Sequence, residues 1–274
     1  MDTTTVGAMS FKETERTGWG EKAPVYDDFA GQITVGVVAP MLDALAVGPG
    51  TRFLDACCGP GYVAAEAARR GAAATGIDFA AAMVEEARQR FPGVGFESGD
   101  AEALDFADGS FDAVACAFGI LHLADPDRAL AEAHRVLAPG GRYAFTVWMG
   151  PERHDFFRLV GDAIAAHGQP VELPPAPPMF RFADHDEARR SMEAAGFTDV
   201  TVAELPLVWR IAGPQDVLAY VEKCTMRVAM VLERQTPEAR QRIHAAILEG
   251  ADAFRREGGW EVAWPAVLVS GRKS

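Results

Sequence analysis

The sequence is poor in cysteine, in long apolar runs and in basic residues. Its 274 residues include four cysteines, which are too few for a disulfide framework and lack the spacing of zinc ligands. No apolar run reaches the ~18 residues that a membrane helix needs, and the first residues lack a basic segment followed by an apolar core. We therefore expect reduced thiols, no membrane span and a cytoplasmic protein.

Basic residues are outnumbered by acidic ones. The chain has 26 Lys and Arg against 39 Asp and Glu, which gives a formal net charge of −13. Because nucleic-acid binding depends on Lys and Arg that neutralise phosphates, this balance argues against a nucleic-acid partner. No Lys or Arg occurs between Arg90 and Arg128, and most carboxylates in that window are expected to be simply solvated.

Apolar segments of strand length alternate with segments of helical periodicity. Strands are predicted at Arg52–Cys57, Ala73–Asp78, Val94–Glu97, Phe111–Ala117 and Arg142–Trp148, and later at Thr198–Val208 and Ala263–Val269. Helices are predicted between the early strands at Tyr62–Arg70, Ala81–Arg90 and Pro126–Leu137. This alternation predicts an α/β fold with a doubly wound, mostly parallel sheet.

The domain organisation follows from a change of pattern near residue 150. Residues 1–24 are polar and are expected to form a flexible N-terminal arm, whereas residues 25–274 are expected to form a single domain. Within that domain, residues 25–150 contain the alternating strands and helices. The segments 151–185 and 212–259, which include five prolines within nine residues and later helices, are expected to be capping insertions.

A glycine turn follows the first predicted strand. Gly59 and Gly61 allow the backbone to approach a ligand closely, and the next helix begins directly after them. The turn alone is compatible with a dinucleotide, another nucleoside cofactor, or simple packing. The third glycine of the dinucleotide fingerprint is absent, and Asp55 would repel a pyrophosphate, so a cationic ligand fits better.

Two more carboxylates follow the next strands. Asp78 ends the second strand, where a carboxylate can accept hydrogen bonds from both hydroxyls of a ribose, although it could also cap the next helix. Asp100 and Ala101 follow the third strand, where a side-chain acceptor and a backbone N–H suit an adenine edge. A plain turn is the alternative for this segment.

Five motifs in register resemble those of class I S-adenosylmethionine-dependent methyltransferases. They are Phe53–Ala64, Gly76–Ala87, Gly99–Phe106, Phe111–Asp125 and Arg135–Thr146. The sequence is most similar to the small-molecule group that includes the ubiquinone and menaquinone C-methyltransferases. The resemblance implies a Rossmann-like fold with a seven-stranded sheet, helical capping insertions, and S-adenosylmethionine as the cofactor, with S-adenosylhomocysteine as its product.

The resemblance also assigns the methionine end of the cofactor. The turn Cys58, Gly59 and Gly61 should wrap the methionine part, with Asp55 near its ammonium group. The carbonyl of Ala117, at the end of the fourth strand, should accept from the methionine amino group. Cys57 departs from the family, which often has glycine or alanine there.

At the nucleoside end, the resemblance implies that Asp78 holds the ribose while Phe79 and Met83 flank the adenine. Asp100 and Ala101 should read the adenine edge. S-adenosylmethionine carries a sulfonium and an ammonium against one carboxylate, so carboxylates without nearby Arg suit it.

The acceptor is expected to contact the variable parts of the chain. Tyr26 is expected at the cofactor and, with Trp19, at the acceptor pocket, whose apolar and aromatic residues indicate a fairly hydrophobic small molecule. His122, in the loop after the fourth strand, is the candidate catalytic base, with a structural role as the alternative. His154 is a weaker candidate and is expected on a solvated helix surface.

The predicted function is methyl transfer by in-line displacement to a small apolar or aromatic acceptor. Two alternatives remain at this point. One keeps the cofactor but uses its sulfonium only as a fixed charge for a reaction without methyl transfer. The other is a non-catalytic, cofactor-binding partner subunit. The sequence is compatible with both a homodimer and a monomer.

Overall fold

The computed structural model describes residues 10–274 and contains two sheets within that range. The strands are β1 (Arg52–Ala56), β2 (Ala73–Asp78), β3 (Gly95–Ser98), β4 (Phe111–Ala117), β5 (Leu137–Trp148), β6 (Phe197–Leu205), β7 (Val208–Ile211), β8 (Arg255–Arg256), β9 (Gly259–Ala263) and β10 (Ala266–Lys273). Seven of them form the main sheet in the order β3-β2-β1-β4-β5-β10-β6, and three form a small sheet in the order β7-β9-β8. The predicted fold class is confirmed.

Pairing in the main sheet is parallel except at one strand. The pairs from β3 through β5 are parallel, whereas β10 lies antiparallel between β5 and β6. The central strands are buried on both faces, which explains their nearly continuous apolar sequence. The carboxyl ends of β1, β2, β4 and β5 meet at one edge, which is where α/β sheets bind ligands.

The helices cover both faces of the sheet and build its cap. They are α1 (Phe11–Lys22), α2 (Ala30–Thr34), α3 (Val38–Ala44), α4 (Tyr62–Arg69), α5 (Ala81–Arg90), α6 (Pro126–Val136), α7 (Asp155–His167), α8 (His185–Ala194), α9 (Pro214–Cys224), α10 (Arg227–Glu233) and α11 (Pro237–Ala251). No helix in the described range is long and apolar enough to cross a membrane.

The segment that was expected to be a flexible arm is helical over most of its described residues. Residues 1–9 lie outside the described residues, but residues 11–22 form α1, a helix of three turns. Ser10 and Glu13 form a capping box, in which each side chain accepts from the other's backbone N–H. One face of α1 packs on the domain, where Glu15 and Gly18 are buried.

The strand predicted at Thr198–Val208 is two strands. β6 ends where β10 begins, at the pair Leu205 and Ala266. Pro206, which has no N–H to donate to a ladder, follows at once, and the chain turns away. Val208–Ile211 then pairs with β9 in the small sheet.

The insertions and the small sheet share one apolar cluster. Its largest buried side chains include Phe156 on α7, Tyr220 on α9 and Trp264 before β10. Trp264 lies within 4.6 to 5.2 Å, between ring centroids, of Phe156, Tyr220 and Trp209. The cap is therefore packed onto the main sheet through aromatic contacts, which contribute beyond their buried area.

Candidate functional site

A cavity of about 340 Å³ lies at the carboxyl edge of the main sheet. Its floor is formed by residues at or just after the strand ends, including Cys57, Gly59, Asp78, Ala117 and Trp148. Its other walls come from α1, from α7, from the proline-rich loop and from the segment between α9 and α10. Most of the lining is apolar, and its carboxylates are Glu15 on α1 and Asp78 at the end of β2.

The turn between β1 and α4 has a left-handed backbone. Cys57, Gly59 and Gly61 have φ values of 62°, 50° and 88°. A Cβ on Gly61 would lie 2.6 Å from the Phe96 ring, so this glycine is required for packing against the sheet. A Cβ on Gly59 would meet no protein atom within 4 Å, and Gly59 is part of the cavity wall. The two glycines therefore serve different purposes.

Asp78 joins the turn to the end of β2. Its side chain is 6% exposed, and its two oxygens accept from the backbone N–H groups of Gly59 and Ala80, each at 2.9 Å. Burial raises the pKa of Asp78 to about 6, although the two N–H donors and the charge of His122 oppose that shift. A carboxylate held in this way in a cavity wall can bind a hydroxyl pair or a cation.

Asp55 lies between β1 and the first turn of α4. It is fully buried, and its Oδ2 accepts from the backbone N–H of Ala64 at 3.0 Å. Within residues 10–274, its Oδ1 has no hydrogen-bond partner. Burial, opposed by the Ala64 N–H and aided by the nearby charge of Asp78, raises the pKa of Asp55 to about 8. Asp55 does not line the cavity itself.

A second left-handed turn ends β4. Phe118 has a φ of 56° and donates its backbone N–H to the Oγ1 of buried Thr146 at 3.1 Å. Its ring stacks on Trp148 with 3.7 Å between ring centroids. Non-glycine residues in this conformation cost about 1–3 kcal/mol and are typical of functional sites. Here the conformation places the ring of Phe118, directly after Ala117, in the cavity wall, where it stacks on Trp148.

His122 and Glu15 meet across the cavity wall. Glu15, on α1, is 2% exposed, and its Oε2 lies 2.9 Å from His122 Nδ1. The same oxygen accepts from Trp19 Nε1 at 3.2 Å. Sequence reasoning missed Glu15, although the capping box of α1 could have predicted the helix that carries it.

Seven of the predicted site residues line the cavity. They are Tyr26, Gly59, Asp78, Phe79, Met83, Ala117 and His122. The other five lie outside its wall. They are Asp55, Cys58, Gly61, Asp100 and Ala101.

Asp100 and Ala101 are near the site but are occupied by other contacts. Asp100 Oδ2 accepts from Lys12 Nζ of α1 at 2.5 Å, and its Oδ1 accepts from the backbone N–H of Glu102 at 3.0 Å. Ala101 is buried in the main apolar cluster. Cys58 and Gly61 support the turn from the side of the sheet, where Cys58 donates its N–H to the Ile77 carbonyl at 2.8 Å.

The prediction that His154 lies on a solvated surface is wrong. Its side chain is fully buried, with the rings of Phe157 and Trp264 at centroid distances of 4.4 and 4.9 Å. In the described part of the chain, neither ring nitrogen has a hydrogen-bond partner. Burial lowers the pKa of His154 to about 3. His154 is therefore a neutral core residue and does not serve as a base.

Other titratable groups in the wall are poor nucleophiles and poor bases. Burial raises the pKa of the Tyr26 phenol to about 12 and that of the Cys224 thiol to about 11. The hydrogen bond with Cys116 and then burial raise the pKa of Cys57 as well. Among the described wall residues, His122 stays the candidate general base.

The sequence is similar to proteins of known family. Residues 54–145 match the family described as "Methyltransferase domain". A demethylmenaquinone methyltransferase of Paenarthrobacter aurescens is 30% identical over 203 residues, which cover 69% of this chain and 80% of that protein. A demethylmenaquinone methyltransferase of Beutenbergia cavernae is 41% identical over 120 residues, or 44% of this chain. The chain spans only 50% of the length of that second relative.

Solved structures are similar in fold. The YcgJ protein of Bacillus subtilis is 21% identical and superimposes with a TM-score of 0.55. The superposition covers 86% of this chain and 97% of that protein.

Proposed function

The chain belongs to the class I S-adenosylmethionine-dependent methyltransferase family, and on that premise we propose that it transfers a methyl group to a small apolar or aromatic acceptor. The observation that carries the proposal is the cavity itself, whose wall includes both Asp78 with the neighbouring turn at Gly59 and the aromatic pair Phe118 and Trp148. The relatives named demethylmenaquinone methyltransferase make a quinol ring the first acceptor class to test.

The residues around the turn fit S-adenosylmethionine. Asp78 presents a carboxylate in the wall. Among residues 10–274, no atom fills the space next to Gly59, and one oxygen of Asp55, behind the turn, has no hydrogen-bond partner. Carboxylates favour a ligand with net positive charge. Asp78 would hold the ribose hydroxyls and Phe79 and Met83 would flank the base.

When bound, S-adenosylmethionine supplies a methyl group that its sulfonium has already activated. The chain's own task is then to hold the acceptor in line with that group and to exclude water. Positioning of this kind supplies roughly 7–11 kcal/mol. The apolar wall that would orient the acceptor consists of the stacked rings of Phe118 and Trp148 and of the side chains of Phe157 and Phe180.

We also propose that segments 151–185 and 212–259 act as substrate caps on the core 25–150. Phe157 and Phe180 come from the first of these segments, and Tyr220 and Met226 come from the second, and all four line the cavity. Variation there would change the acceptor and leave the turn with Gly59 intact. The net charge of −13 supports an acceptor other than nucleic acid. A homodimer and a cytoplasmic location stay predictions.

The cofactor assignment is tested by the isosteric change Asp78→Asn. The amide has one acceptor oxygen and no charge, so affinity for S-adenosylmethionine should fall at least tenfold by titration calorimetry. Asp105→Asn, at an exposed aspartate outside the cavity wall, is the matched control and should bind like the wild type. Equal affinities for the wild type and Asp78→Asn would contradict the assignment.

The reaction is tested with a panel of quinols and phenols that includes demethylmenaquinone. Methylated product and S-adenosylhomocysteine should form in equal amounts by mass spectrometry. Product without S-adenosylhomocysteine would favour the use of the sulfonium as a fixed charge. Tight cofactor binding with no product from any acceptor would favour the partner subunit.

A further inference from the structure

Glu15 is an unusual residue to bury in the wall of this cavity. A carboxylate that is 2% exposed has lost almost all of its hydration, which is costly unless hydrogen bonds replace it. Its Oε2 is hydrogen-bonded to His122 and to Trp19. Both Glu15 and His122 belong to the cavity wall. The Glu15 carboxylate is therefore buried beside the cavity and not in the apolar core.

Residues other than Glu15 also dock α1 on the domain. Lys12 Nζ donates to Asp100 Oδ2 and Glu102 Oε2, each at 2.5 Å, at one end of the helix. At the centre, Gly18 lies so close to the Met226 side chain that a Cβ would overlap it. These contacts hold α1 from both sides of the cavity. An apolar residue at position 15 would serve that packing as well as a carboxylate.

The contact with Glu15 determines which ring nitrogen of His122 carries the proton. A carboxylate only accepts, so Nδ1–H of His122 donates to Oε2 at 2.9 Å, and the neutral ring then has its free electron pair on Nε2. Among residues 10–274, Nε2 has no hydrogen-bond partner. The ring is also held edge-on against Trp19, with 4.8 Å between centroids. Orientation and tautomer are both set from α1.

We propose that Glu15 is a positioning residue that makes His122 a general base, and that the acceptor therefore carries an ionisable proton on the atom to be methylated. This rests on the proposed function above and deepens it. The acceptor class is a hydroxyl, such as a phenol or hydroquinone, or an acidic ring carbon. A tertiary amine or thioether has no such proton and is excluded.

The proton and electron pairs balance in this step. The acceptor's proton goes to His122 Nε2, and the electron pair that it leaves behind forms the new bond to the methyl carbon. The electron pair of the carbon–sulfur bond goes to sulfur. Glu15 then faces an imidazolium, whose positive charge its carboxylate stabilises.

The kinetic test compares Glu15→Gln with Glu21→Gln. Both changes remove one negative charge from α1, but Glu21 is exposed and lies outside the cavity wall. We expect kcat of Glu15→Gln to fall by roughly 10–100-fold, with the acceptor KM and the cofactor Kd within about threefold. Glu21→Gln should match the wild type. In a His122→Ala background, Glu15→Gln should lower kcat no further.

A purely structural role for Glu15 predicts a different result. It would raise the cofactor Kd or lower the melting temperature, and it would lower kcat equally with and without His122. Either of those results overturns the proposal. If the wild type is active and Glu15→Gln keeps full kcat, the positioning role fails while the methyltransferase function stands.

Proton-detected ¹⁵N NMR of the ring nitrogens gives a readout that needs no acceptor. At alkaline pH, His122 of the wild type should carry its proton on Nδ1, and Glu15→Gln should show a mixture of tautomers. A proton on Nε2 in the wild type would refute the proposal, whether or not any acceptor is found.

Discussion

Gly59 and Gly61, in the turn between β1 and α4, should respond differently to replacement by alanine, which adds one methyl group at each position. Gly59→Ala and Gly61→Ala both place a non-glycine residue at positive φ, which costs about 1–2 kcal/mol in each case. In Gly61→Ala the new Cβ also lies 2.6 Å and 2.8 Å from two atoms of the Phe96 ring and 3.1 Å from Ala87. Overpacking of this kind adds about 1–3 kcal/mol.

These costs translate into a difference in melting temperature. A chain of this size loses about 2 °C per kcal/mol. Gly61→Ala, at about 2–5 kcal/mol, should therefore melt ~4–10 °C below the wild type. Gly59→Ala should lose only ~2–4 °C, because its Cβ meets no protein atom within 4 Å.

Cofactor affinity should show the opposite order. The added methyl of Gly59→Ala lies in the cavity wall, where it would occupy space needed by the ligand, so affinity should fall roughly tenfold or more. Gly61→Ala, measured well below its melting temperature, should bind within about threefold of the wild type.

Differential scanning calorimetry and titration calorimetry on the same preparations would measure both effects. Equal losses of melting temperature would show that strain at positive φ outweighs the Phe96 contact. Unchanged binding by Gly59→Ala would show that the cofactor does not approach this turn.

Two further predictions concern buried titratable groups. His154→Phe should raise the melting temperature, because it removes two unpartnered ring nitrogens, each worth about 1–3 kcal/mol. The gain in melting temperature should grow as pH falls below ~6.5. Below that pH the unfolded wild-type chain binds a proton at His154, whereas the folded state, in which the pKa of His154 is about 3, does not. A gain that is independent of pH would contradict a buried neutral imidazole. Affinity for S-adenosylmethionine should rise between pH 6 and 8, because the pKa values of Asp78 and Asp55 are about 6 and about 8 and a cation favours their ionised forms. Calorimetry in buffers of different ionisation enthalpy should show proton release on binding, and its absence would mean that neither carboxylate meets the cofactor.

The part of the fold that could be predicted is the part with local patterns. β1, β2 and β4 are short apolar runs, each preceded by a glycine within three residues, and a helix follows each of them; α6 also has its own start signal in Asp125 and Pro126. The break at Pro206 was predictable in principle, because proline has no N–H to donate to a strand ladder. The pairing of β7 with β9 was not, since no local pattern relates residue 208 to residue 263.

The candidate site was predictable where it follows strand ends. Asp78 and Ala117 are the last residues of β2 and β4, so the sheet alone brings them to the same edge. Glu15 depends on a contact with His122 across 107 residues of sequence, and nothing near position 15 indicates it. His154 stands among charged neighbours that suggest solvent, but Trp264, distant in sequence, covers it.

The antiparallel strand β10 also has a consequence for the order of folding. It fills the gap between β5 and β6, so β6 has no partner in the main sheet until residues 266–273 have left the ribosome. During synthesis, the β3-β2-β1-β4-β5 half can pair in full while β6 and the edge of β5 stay open. Pairings this distant in sequence form slowly, and exposed strand edges promote association with other chains. The yield of folded protein should thus depend on how soon synthesis reaches residue 273 and on what covers the edge of β5 until then.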